Sequence, residues 1–76
     1  MKELKFKVKY DEEFGDYYFT PFKNNRRYYV WLNDIIETNY GLYAITEYGS
    51  IKVKEYDYNY VIVEVREILK KWKKIK

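Results

Sequence analysis

The sequence predicts a small α+β domain, a five-stranded, mainly antiparallel sheet or partly open barrel packed by a C-terminal amphipathic helix. Three observations carry this expectation. Leu4, Phe6, Val8 and Tyr10 alternate with Lys5, Lys7 and Lys9, the period of a strand with one apolar and one polar face. Further aromatic and β-branched runs are separated by turn residues. Val61, Val65, Ile68, Trp72 and Ile75 then recur at helical spacing, with Ile62 and Leu69 beside them.

The elements follow in order. Residues 4–10 form the first strand. The block Asp11-Glu12-Glu13-Phe14-Gly15-Asp16 reads as an acidic loop. Residues 16–22 form an aromatic strand, with Pro21 marking an edge or a strand end. Lys23-Asn24-Asn25-Arg26 is a turn signal, and residues 27–32 are a strand by propensity. Asp34 followed by Glu37 resembles a capping box and Gly41 suits a C′ position, so a short helix or 3₁₀ segment is expected there. Residues 42–47 and 50–56 are strands joined by a turn at Tyr48-Gly49. The last helix is read from Val65 onward, and Trp72 at the centre of its apolar arc is expected to be buried. Tyr60-Val61-Ile62-Val63 fits either a strand running into that helix or the helix's own start with Asn59 as N-cap.

Residues 1–76 make one domain. A chain of this length buries only about 60% of its unfolded surface, so it needs staples, self-association or a dense core. Cysteine and histidine are absent, which excludes disulfides and the usual zinc and haem sites. Eleven Tyr, four Phe and two Trp supply a dense core instead. The N-terminus alternates rather than forming an apolar block, and no apolar run approaches the roughly 20 residues of a membrane span, so a cytoplasmic location without membrane association is expected. The absence of Gln, Cys and His with abundant Lys and Glu is a hyperthermophile tendency. It points to a thermostable protein of archaeal or archaeal-virus origin, although the five Asn residues run against this and an AT-rich genome yields a similar bias.

The chemistry of catalysis is missing. With no Cys, no His and Ser50 as the single serine, no activated nucleophile can be assembled. The three glycines stand alone and form no phosphate loop. Counted from Asp11, the acidic block puts Gly15 fifth and Phe22 twelfth, which fails the calcium-loop pattern. Glu64 and Glu67 lie a helical turn apart, but Lys70 and Lys71 follow Glu67 at ion-pairing spacing. No enzyme, cofactor or metal site is expected.

Two surfaces stand out. Lys5, Lys7 and Lys9 share a strand face; Lys52, Lys54 and Tyr56 should turn outward opposite Ile51 and Val53; Arg27, Tyr29 and Trp31 share a face of their own strand. On one sheet these nine residues would make a basic, aromatic face able to hold phosphates and stack unpaired bases, favouring single strands. The alternative is that the lysines solubilise the sheet and guard its edges. The C-terminal segment from Arg66 carries +5 and the rest of the chain −2. Its basic amphipathic helix could lie on a membrane or on phosphates, but a domain this small needs the apolar arc for its core.

The expected function is therefore a non-catalytic binding module for nucleic acid. The alternative is a small protein-interaction module, such as a viral or mobile-element inhibitor of a host complex, with surface tyrosines as rigid anchors. Charge placement separates them: nucleic-acid binding requires the acidic loop to sit away from the lysine–tyrosine face.

Overall fold

The computed structural model describes residues 2–21, 28–46 and 49–75, the last four by backbone alone. Among these residues nine short strands are followed by one helix. They are β1 (Glu3–Lys7), β2 (Lys9–Asp11), β3 (Asp16–Phe19), β4 (Val30–Trp31), β5 (Ile35–Thr38), β6 (Gly41–Thr46), β7 (Gly49–Val53), β8 (Glu55–Tyr56), β9 (Tyr60–Glu64) and α1 (Val65–Ile75). The strands make three three-stranded antiparallel sheets, ordered β1-β9-β8, β2-β3-β4 and β5-β6-β7. They do not close into a barrel, and the single five-stranded sheet expected from the sequence is replaced by these three.

Two bends explain the division. The expected first strand is interrupted at Val8, whose N–H turns to the Asn59 carbonyl at 3.1 Å. One alternating run thus serves two sheets: β1 pairs with β9 and β2 pairs with β3. The expected 50–56 strand breaks at Lys54. The Lys54 N–H donates to the Ile62 carbonyl at 2.9 Å, while Glu55 is the register partner of Ile62. Two residues oppose one, which is a β-bulge, and the strand bends away from its partner there.

The expected short helix or 3₁₀ segment around Asp34 is present only as a 3₁₀ turn that ends before Glu37. Leu32–Asp34 forms this turn with no side-chain cap, and Ile35–Thr38 is a strand rather than a helix. The β-branched pair Ile35-Ile36 decides it, because Ile35 is buried opposite Ala44, itself fully buried. Gly41 does not end a helix; it opens β6 with φ of 122°. The two hairpins of this sheet share a device the sequence spells twice, Thr38-Asn39-Tyr40-Gly41 and Thr46-Glu47-Tyr48-Gly49. In each, the threonine Oγ1 donates to the glycine carbonyl, Thr38 to Gly41 at 2.9 Å and Thr46 to Gly49, and both glycines have positive φ.

Tyr60–Glu64 is a strand running directly into the helix. Val61 and Val63 are fully buried on its inner side. Asn59 caps no helix; its N–H is held by the Asp57 carboxylate at 2.6 Å in the β8–β9 turn. Helix α1 packs on β7 and β9 and seats Ile68 in the core. Its Glu67 Oε1 accepts the Lys52 N–H at 3.1 Å, so the helix occupies the edge that β7 exposes beyond the bulge. Phe22, the expected 23–26 turn, Arg27 and the Trp72 side chain lie outside the described residues.

The core joins all three sheets. Phe19, Val30, Ile51, Val61 and Val63 are its most enclosed side chains, with Phe6 and Leu42 packed against them. Each such side chain contributes roughly 1.5–3 kcal/mol on burial. The radius of gyration, 11.7 Å, is close to the about 11.4 Å of one domain of this length.

Candidate interaction surface

Of the nine residues expected to share one face, the eight that are described are distributed over the three sheets and the segments flanking their strands. Lys5 and Lys7 project from β1 on the side of Tyr60 and Ile62. The Lys5 ammonium stands 4.4 Å from the centre of the Tyr60 ring, a cation–π contact that covers the ring. The Tyr60 hydroxyl donates to Glu55 Oε2 at 3.0 Å, and that bond, followed by burial, raises its pKa above the usual tyrosine range. Lys54 pairs with Glu3, and hydrogen bonding to that carboxylate raises the ammonium's pKa. This side of the β1-β9-β8 sheet is thus a mixed-charge surface on which Lys5 is engaged with the Tyr60 ring and Lys54 with Glu3.

The bulge also separates Lys54 from Tyr56. Glu55 pairs with Ile62 and Tyr56 with Val61, so Tyr56 falls on the side of the buried valine instead of the lysine side. A shift of one residue exchanges the faces of a strand. Lys52 lies elsewhere, opposite Tyr43 on the β5-β6-β7 sheet. It lines a groove of about 380 Å³ with Tyr40, Leu42, Lys54, Glu64 and Glu67, where Glu64 is paired with Arg66 and Glu67 lies 3.6 Å from Lys70.

Lys9, Tyr29 and Trp31 do come together, on the β2-β3-β4 sheet. Lys9, Tyr18 and Trp31 are successive register partners, so they share a face. Tyr29 stacks on Tyr18 with ring centroids 4.2 Å apart and 17° between the planes. Trp31 meets Tyr18 at 5.4 Å, Tyr29 at 5.7 Å and Phe14 at 5.5 Å. Phe14, Tyr18, Tyr29 and Trp31 therefore form one continuous aromatic platform. It is open to solvent: Phe14 is 66% and Tyr29 38% exposed. Burial, and then the neighbouring Tyr29 hydroxyl, raise the Tyr18 pKa above the usual range.

The platform sits on the acidic loop. Asp11 and Asp16 are directly opposed in the ladder, a like-charge pairing that works against the sheet. Each carboxylate is engaged. Asp11 Oδ1 accepts the N–H groups of Glu13 and Phe14 at 2.9 and 3.0 Å, and the Gly15 N–H returns to the Asp11 carbonyl at 2.8 Å with φ of 69° at the glycine. That turn fixes Phe14 beside Trp31. Asp16 Oδ1 accepts the Asn33 side-chain amide at 2.6 Å, tying the 3₁₀ turn to β3. Phe14, Asp16, Trp31, Asn33 and Asp34 line an open cleft of about 340 Å³.

Phe14 and Tyr18 were not singled out in the sequence. The available signal was an aromatic inside an otherwise acidic turn, and the parity of Tyr18 with Asp16 across the strand. A second ring group, Tyr10, Tyr17 and Tyr58, lies on the other face, with centroids 4.9 and 4.8 Å apart. Among the described residues no group of three or more acidic side chains is arranged to hold a metal ion, and no helix is long and apolar enough to cross a membrane. Comparison with known proteins gives no match: no family model, no curated protein and no solved structure matches this chain.

Proposed function

We propose that this chain is a non-catalytic interaction module, acting in the cytoplasm, that docks a protein partner on the Phe14–Tyr18–Tyr29–Trp31 platform. One observation carries the reading: four rings in unbroken contact are presented at the surface of a domain whose core is already complete without them. Tyrosine and tryptophan give large contact area at small entropic cost, and such rings dominate protein-recognition energetics. The acidic residues Asp11, Asp16 and Asp34 beside the platform favour a partner with basic groups and disfavour a phosphate backbone.

The nucleic-acid reading draws support from exposed Lys5 and Lys7 and from the +5 C-terminal segment. It is weaker because the open rings lie with three acids and only Lys9 shares their face, whereas Lys5 and Lys7 lie on another sheet. The two readings separate in an affinity capture from source cells, with and without nuclease, using wild type, Phe14→Ala and Lys5→Glu/Lys7→Glu. A partner retained after nuclease and lost in Phe14→Ala supports the platform. Capture that is abolished by nuclease and by the lysine reversals sinks it in favour of nucleic acid.

A further inference from the structure

We infer that the platform is a receptor for an arginine-bearing segment of the protein partner, with the guanidinium seated between the Phe14 and Trp31 rings and the Asp16 and Asp34 carboxylates. The inference rests on the platform reading and names the chemistry of its occupant.

Three observations converge on the cleft. Its volume, about 340 Å³, is at the low end of the roughly 300–1,000 Å³ of small-ligand sites and is ample for a single side chain. Its walls are of two kinds. Phe14 and Trp31 stand 5.5 Å apart with 67° between their planes, which offers a ring face to a cation. Across from them, Asp16 spends Oδ1 on Asn33, leaving Oδ2 as an acceptor, and exposed Asp34 has no ion-pair partner among the described residues. Lys9, which shares the platform's face, pairs across from Tyr18 and does not line the cleft.

The opposed pair Asp11 and Asp16 points the same way. Like charges in register weaken the hairpin, and local conflicts of this kind are expected where function requires them. Here they concentrate negative potential at the open edge of Phe14, which raises the local concentration of cations. Arginine suits the site better than lysine. Its planar group stacks on rings and bonds a carboxylate through two parallel N–H donors, whereas an ammonium is a strongly hydrated point charge.

The test is a titration of isotope-labelled protein with the capped peptide Gly-Arg-Gly-Arg-Gly, followed by nuclear magnetic resonance. Matched peptides carry lysine or uncharged citrulline in place of arginine. The arginine peptide should shift the Trp31 indole and Asn33 side-chain amide signals, with lysine weaker and citrulline weaker still, by about two- to fivefold at each step. Asp34→Asn should weaken the arginine peptide by about two- to fivefold, and Phe14→Ala should weaken it by a similar factor. Equal binding of the citrulline peptide, or an unchanged titration in Asp34→Asn, overturns the inference. So does concentration-dependent self-association that shifts the same signals without peptide, since the occupant is then a second copy. If no peptide binds while Phe14→Ala still abolishes partner capture, the arginine inference falls and the platform reading stands. If capture is also unaffected, both fall.

Discussion

Phe14 presents its ring to Trp31 with centroids 5.5 Å apart and 67° between the planes, although they lie 17 positions apart in the chain. The contact depends on two independent constraints. The Asp11 carboxylate fixes the loop that carries Phe14, and the pairing of Tyr18 with Trp31 fixes β4 in register. An acidic turn that looks merely solvated in the sequence thereby becomes one wall of an aromatic surface.

Phe14→Ala should be nearly silent for stability, because the ring is 66% exposed. A loss of about 0.5–1.5 kcal/mol is expected from the missing edge-on ring contact. Phe19→Ala, at a fully buried position, should instead cost about 3–5 kcal/mol and unfold a domain of marginal stability. Urea unfolding of the two variants checks the contrast. Similar midpoints would mean that Phe14 belongs to the core and not to a binding surface.

Glu67→Ala should loosen the helix from the sheet edge. The Glu67 carboxylate accepts the Lys52 N–H, and its removal leaves that amide to water. Hydrogen exchange at the Lys52 amide should accelerate in Glu67→Ala and stay close to wild type in Glu67→Gln, which keeps a carbonyl acceptor. Unchanged protection in Glu67→Ala would show that α1 does not cover β7 through this contact.

The twin hairpins make a backbone prediction. Gly49 has φ of 104°, a conformation that a side chain strains by about 1–3 kcal/mol. An added Cβ would also stand 2.9 Å from Lys71 Nζ, the mobile end of a long side chain that can swing aside. Gly49→Ala should therefore destabilise by about 1–3 kcal/mol, and adding Lys71→Ala should recover little of it. Full recovery in the double variant would assign the effect to crowding instead of φ.

Alkaline pH should destabilise the fold through two tyrosines. Tyr18 is raised by burial and then by Tyr29, and Tyr60 by its bond to Glu55 and then by burial. The folded chain thus holds these protons at pH values where the unfolded chain releases them. Their contribution is fully present below about pH 10, the unfolded value, and is lost as pH rises through the folded values. Chemical unfolding between about pH 8 and pH 11 should show a falling stability that is shallower in Tyr60→Phe. A slope identical to wild type in that variant would remove Tyr60 from the account.

Local pattern determined much of this protein. Apolar alternation in residues 4–10 located β1 and β2, because a strand repeats every two residues wherever it lies. The helical spacing after Val65 marked α1, and the absence of Cys ruled out disulfide staples within these residues. Tertiary structure decided the rest. Val8 and Lys54 bend their strands because neighbouring strands draw each run into two sheets, and no local propensity encodes such a choice. The Lys54 bulge then moved Tyr56 off the lysine side, since a single extra residue exchanges strand faces. Ile35 became strand and not helix because Ala44 lay across from it in the core. The platform itself needed long-range pairing: Phe14, Tyr18, Tyr29 and Trp31 belong to three chain segments, and only the β2-β3-β4 register sets their rings on one face beside Asp16 and away from Lys5 and Lys7.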